Sequence, residues 1–167
     1  LIKSKISSSN IEVTTKSILL KDLIKFIRTT NNKPELFILE KIIKKGHIIL
    51  DLSFNFDENG KIKNDYEITG LIKEANINFI NQTKFNNVNF NFNIKKDSYL
   101  LNEIKFQSEK VNFISKKLNI KKKKNSFLID GNVKNDESNL NSNILQLLNL
   151  NFENIIIQDV KFKTDNK

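Results

Sequence analysis

The chain has 167 residues, a net charge of +9, no cysteine and no methionine. Without cysteine it holds no disulfide, no thiol nucleophile and no cysteine-ligated metal. Its length suits one domain with a sizeable core, and arginine, the side chain best suited to forked recognition of phosphates and bases, occurs once.

Lys, Asn, Ile and Phe make up more than half of the chain. That skew matches AT-rich codon usage, so the basic charge points only weakly to nucleic acid or to an anionic membrane. The chain begins with Leu1 and reads as a piece of a longer protein. No run in it is long and apolar enough to span a bilayer, and no signal-peptide pattern opens it.

The first residues are Ser-rich, and Ile11 and Val13 fit a short edge strand. Leu19, Leu20, Leu23, Ile24 and Ile27 then repeat at helical spacing, which predicts an amphipathic helix over 17–29. Pro34 and Glu35 suit a first helical turn. Leu36, Leu39, Ile42 and Ile43 form the stripe of a second helix, with Lys41, Lys44 and Lys45 at its carbonyl end and Gly46 as its stop. The helices are expected to pack on a sheet or to plug one end of it.

From Gly46 the period becomes two. Ile48, Leu50, Leu52, Phe54 and Phe56 alternate with polar residues. Asn59-Gly60 invites a two-residue hairpin loop, but that register sets every apolar residue against a charge. A three-residue loop, Glu58-Asn59-Gly60, instead sets Phe56 against Ile62, Leu52 against Tyr66 and Leu50 against Ile68. Past Gly70 the apolar parity flips to Ala75, Ile77 and Phe79, which predicts a bulge near Lys73-Glu74. Val88, Phe90, Phe92 and Ile94 alternate strictly with asparagines. A loop over 81–86 would pair Phe79 with Val88, Ile77 with Phe90 and Ala75 with Phe92. Turns at Lys96–Ser98 and Gln107–Lys110 frame a strand through Ile104 and Phe106, and Val111 and Phe113 follow. A second parity flip near Ser115-Lys116 gives Leu118 and Ile120. Lys121–Lys124 form a charged turn before Phe127 and Ile129. Residues 141–150 read as a short helix and 153–163 as a last strand.

These elements predict a mainly β chain: an antiparallel meander curved into an open β-groove, with short amphipathic helices near 17–45 and 141–150. It divides into a helical cap portion (1–45), the meander (46–134), and a helix with a final strand (135–167). The helices are too few to cover about seven strands, and the short connections disfavour a sandwich. The apolar face therefore calls for another cover, since its burial is worth roughly 25 cal/mol per Å².

Catalytic patterns are missing. His47, the lone histidine, reads as a strand-end residue, and no metal site or cofactor is expected. Asp51, Asp57, Glu67 and Asp130 fall on polar faces or turns. No phosphate loop, nucleophile elbow or zinc-protease motif occurs. The lysine run reads as a solvated hairpin tip, with anion or headgroup contact as the competing reading. A Phe platform for single-stranded nucleic acid would interleave basic residues on the same face, and this one does not.

The stretches GHIILDLSFNFDENGKIKNDYEITGLIKEANINFI, NVNFNFNIKKDSYLLNEIKF and KLNIKKKKNSFLIDGNV resemble the AsmA-like family, the TamB- and YhdP-type proteins of Gram-negative envelopes. The likeness lies in texture over about residues 46–134: a hairpin with an Asn-Gly turn, then long alternating strands with few breaks. It implies an inner-membrane-anchored, periplasmic protein with a hydrophobic groove for phospholipid acyl chains in outer-membrane biogenesis. The anchor would lie outside this segment. The groove lining would be Ile48, Leu50, Leu52, Phe54, Phe56, Ile77, Phe79, Val88, Phe90, Phe92, Ile94, Ile104 and Phe106. The function expected is thus non-enzymatic lipid transport, with phospholipid acyl chains as partners and no nucleic acid. The alternative is a structural or adhesive β-domain with a closed hydrophobic core and no lipid ligand.

Overall fold

A computed structural model describes residues 2–6, 9–31, 33–63, 65–79, 83–123, 126–136, 138–139, 161–163 and 165–166. Among the described residues the chain is mainly β, built on one large open antiparallel sheet with two short helices, consistent with a curved open sheet. In chain order the elements begin with β1 (Ile2–Ile6), β2 (Asn10–Thr15), β3 (Ile18–Leu19), α1 (Leu20–Thr30) and α2 (Pro34–Ile42). Five long strands follow: β4 (Ile43–Asn55), β5 (Glu67–Asn78), β6 (Lys84–Lys95), β7 (Ser98–Ser108) and β8 (Val111–Lys123). Then come β9 (Ser126–Gly131), β10 (Val133–Asn135), β11 (Ser138–Asn139), β12 (Lys161–Phe162) and β13 (Asp165–Asn166).

Among the described residues eleven strands join one sheet in the order β1-β2-β4-β5-β6-β7-β8-β10-β13, with β3 beside β4 and β9 beside β8. β11 and β12 pair separately. The expected helix over 141–150 and most of the strand over 153–163 lie outside the described residues.

The N-terminal segment departs from expectation. Ile11 and Val13 belong to β2, which is not an edge, because β1 folds against it as a hairpin. β1 and β2 thus join the sheet, and α1 and α2 are an insertion between strands that end up adjacent. α1 starts at Leu20, later than residue 17, because Ile18 and Leu19 pair with Ile48 and His47. Pro34 opens α2 as expected. Gly46 does not stop it: the helix ends at Ile42, and Gly46 sits inside β4 at φ +137°. A Cβ there would meet the Cα of Ala75 at 2.8 Å, so the position needs glycine both for its backbone angle and for the close strand approach.

The hairpin tip is as expected. Phe56 bridges Ile62, Gly60 adopts φ +74°, and the Asp57 carboxylate accepts from the amides of Asn59 and Lys61. Below the tip the register moves by two, to Leu52 opposite Ile68 and Leu50 opposite Gly70. Between the tip and this ladder the Asn55 side chain donates to the Asp65 carboxylate. A shift of two keeps every side chain on its expected face.

The β5–β6 register differs more. Gly70 faces Phe92, Ile72 faces Phe90, Ala75 faces Val88 and Ile77 faces Phe85. The strand begins at Lys84, inside the expected loop, and the connection closes with the Phe79 amide donating to the Thr83 carbonyl. Two bulges set this register. Glu74 and Asn87 both adopt φ +51°. The Asn89 side chain accepts from the Glu74 amide, and the Asn76 side chain accepts from the Asn87 amide.

These bulges belong to a seam across the whole sheet. It runs from the β2–β3 break, through the shifts after Ile43 and Lys45 in β4, Glu74, Asn87 and Glu103 (φ +52°), to the β9–β10 break. Side-chain parity reverses there in β5, where Ile68 and Ile72 give way to Ala75 and Ile77, and in β8, where Phe113 and Ser115 give way to Leu118 and Ile120. An aligned row of bulges adds local twist and bend at one level of the sheet while keeping apolar residues on one face.

Candidate functional site

The strand registers assemble the apolar face row by row. Nearest the hairpin turns, Ile11 lies opposite Phe54. The next row runs Val13, Leu52, Ile68, Ile94, Tyr99, Ile120 and Ile129 across seven strands. The third runs Leu50, Gly70, Phe92, Leu101, Leu118 and Gly131. Ile18, Ile48, Ile72 and Phe90 follow. Beyond the seam, Ile43, Ile77 and Phe85 share a row, and Phe106 faces Phe113. The opposite face is mostly polar: one row reads Asp51, Thr69, Asn93, Leu100, Asn119 and Asp130.

Burial grades across this surface. Ile48, Leu50, Val88 and Phe92 are buried together with Ile43, Ala75 and, from α1, Leu20 and Ile24. Leu52, Ile68, Ile72, Ile77, Phe90, Ile94 and Phe106 pack against that cluster half-buried. Ile104, Val111 and Phe113 are also buried. At the β9 margin Phe127 and Ile129 are 61% and 63% exposed. The helices therefore cover the β4 side of one end, and the strip toward the turns and β9 stays more open.

All thirteen residues expected to line a groove reach this face. Phe56 does so past the end of β4, at the Ile62 bridge. Phe79 does so past the end of β5, where it touches Phe85 edge-on and remains 38% exposed. Sequence reasoning missed the aromatic file at the helix end. Phe79, Phe85, Phe106 and Phe113 follow one another with ring centroids 5.0, 4.6 and 5.0 Å apart. Phe85 and Val88 are three residues apart, and the bulge at Asn87 hides their shared face from a period-two reading. Tyr99 and Leu101 were missed as well, although their alternation carries the signal.

Charge gathers at the turns. Lys95, Lys96, Lys121 and Lys122 line a recess there with Asp65, Tyr66, Glu67, Asp97 and Ser98. Lys95 lies 3.6 Å from Glu67, and the Lys122 amide donates to the Asp97 carbonyl. Of the lysine run, Lys121–Lys123 complete β8 beside β9. His47 is exposed and sits in the ladder opposite Lys73. Among the described residues no three His, Cys, Asp or Glu side chains converge as metal ligands would. Among the same residues no helix is long and apolar enough to cross a membrane. Comparison of the chain with protein-family models, curated proteins and solved structures finds no match.

Proposed function

We propose that the apolar face holds phospholipid acyl chains, as a non-enzymatic segment of an envelope lipid-transport protein of the AsmA-like kind. The observation that supports this is the uninterrupted row from Val13 to Ile129, which ends at the β9 margin with Ile129 63% exposed. Acyl chains would be held by burial alone, which tolerates different chains and lets them slide along the strip. Headgroups would stay in water, beside the lysines of the turn end. No covalent step and no cofactor enters. In this reading the segment works in the periplasm, anchored through residues outside it.

A closed, dry core is the second reading. It is favoured by the cluster of Leu20, Ile24, Ile48, Leu50, Val88 and Phe92, each less than a tenth exposed. Lipid extraction and native mass spectrometry of the purified chain separate the two. Copurifying phospholipid, reduced by Phe54→Asp and unaffected by Asn91→Asp, is the expected result, because only the first change puts a charge on the apolar face. Lipid-free protein, or equal loss from both substitutions, rules the acyl-chain reading out.

A further inference from the structure

Helix α2 has the sequence PELFILEKI, and none of its residues is buried. Consecutive helical residues point about 100° apart. Leu36, Phe37, Ile38 and Leu39 therefore leave the helix with no fully polar side. A helix apolar all round belongs in apolar surroundings. Here Phe37, Ile38 and Leu39 are 48%, 46% and 40% exposed, and Phe26 of α1 is 67% exposed.

We infer that the α1–α2 hairpin docks the chain onto an anionic phospholipid surface, with Phe37, Ile38 and Leu39 entering the headgroup–acyl boundary. Length excludes a span: nine residues cover less than half of a ~30 Å hydrocarbon core. The choice of occupant rests on where the charge is concentrated: residues 16–45 carry eight Lys and Arg against three Asp and Glu, +5 of the chain's net +9 in under a fifth of its length. Glu40 is paired with Arg28, and the Lys41 ammonium lies 4.4 Å from the Phe37 ring centroid with Arg28 at 5.7 Å. Exposed apolar residues flanked by cations at the tip of a helical hairpin suit shallow insertion beside acidic headgroups. A second copy fits worse, since it would press one net-positive surface against another. The inference does not depend on the apolar sheet face holding lipid.

The test is flotation of the full chain with phosphatidylcholine vesicles, with and without phosphatidylglycerol. The expected result is binding to the anionic vesicles only, lost at about 0.5 M salt, where screening shortens to a few Å. The double change F37S/I38S should weaken vesicle partitioning by at least about tenfold, because it removes apolar surface from the bilayer boundary. Its unfolding midpoint should stay unchanged, since both side chains are exposed. Lipid copurifying with the sheet should also persist in this variant, so failure here is distinct from failure of the acyl-chain reading. K41Q/K44Q should weaken binding to anionic vesicles with the apolar residues intact. Equal binding by parent and F37S/I38S overturns the inference, as does equal binding to neutral vesicles. Light scattering that shows a dimer dispersed by F37S/I38S, without vesicle binding, overturns it in favour of self-association.

Discussion

Gly70 and Ser108 have opposite faults. Gly70 lies in the third apolar row, where a Cβ would stand 2.4 Å from the Ile49 carbonyl oxygen and 2.5 Å from Phe92 Cζ. The missing side chain is the space that the Phe92 ring occupies. Gly70→Ala should cost about 1–3 kcal/mol of stability through overpacking, read as a lower urea midpoint. An unchanged midpoint would mean that both the Phe92 ring and the β4 backbone at Ile49 can give way. Ser108 faces Val111 across the β7–β8 turn, is fully buried, and has a hydroxyl without a hydrogen-bond partner among the described residues. Burying such a group costs roughly 1–3 kcal/mol on mutational scales. Ser108→Ala removes that cost and keeps the volume nearly constant, so it should raise the midpoint. A lower midpoint would show that the hydroxyl has a partner after all.

The seam matters more to each strand than any single contact. Glu74 is the extra residue that returns Ala75 and Ile77 to the apolar face. Deleting it leaves Lys73 alone between Ile72 and Ala75, so plain alternation keeps Ala75 and Ile77 on the apolar face but straightens β5 against the bulged strands β4 and β6. Because Ala75 is 1% exposed and meets Gly46 closely, that mismatch should cost more than about 2 kcal/mol, read as a lower urea midpoint. Glu74→Gly keeps the residue count and suits φ +51°, so it should stay within about 1 kcal/mol of the parent. If deletion and substitution behave alike, the neighbouring strands do not need the bulge in β5. Seam and register also divide what was legible in the sequence. The parity flips at Lys73-Glu74 and Ser115-Lys116 were readable, because long apolar alternations flank them. The bulges at Asn87 and Glu103 were not: the first lies between Val88 and Phe85, a single apolar residue that reads as loop and sets no phase to be broken, and the second becomes visible only when Tyr99 and Leu101 are counted with Ile104 and Phe106. The hairpin tip at Gly60 was readable from its turn chemistry. The β5–β6 register was not, since it depends on two bulges and on Phe85, which looked like loop. Facing survived each of these errors, because alternation within a strand is local whereas pairing between strands is not. The candidate site was legible for the same reason: all thirteen nominated residues reach one face, even where their cross-strand partners differ from those expected. The exposure of α2 was harder to read: Leu36, Leu39 and Ile42 form a stripe that suits a helix packed on the sheet, and only Phe37 and Ile38 beside it depart from that pattern.

A sheet with cover on only part of one face should not be equally stable everywhere. Its buried apolar side chains cluster under α1 and across β4–β6, where Ile43, Ile48, Leu50, Ala75, Val88 and Phe92 meet. β9 has β8 as its only strand partner among the described residues, and Ser126–Asp130 are all exposed. β1 likewise pairs only with β2, and Lys3–Ile6 are exposed. Amide protection follows local burial and the stability of the surrounding cooperative unit. Native-state hydrogen exchange should therefore rank β5 and β6 slowest and β9 and β1 fastest, with the strip from Leu118 to Ile120 in between. The two margins should also differ in behaviour. β1 carries Lys3 and Lys5 on its open edge, which discourages pairing with another chain, whereas β9 presents Phe127, Leu128 and Ile129 in succession. If the chain is monomeric with an open apolar strip, β9 exchanges fast and gains protection only when phospholipid is added. Protection of β9 equal to that of β6 in lipid-free protein would mean that something already covers this margin, and with it the strip proposed for acyl chains.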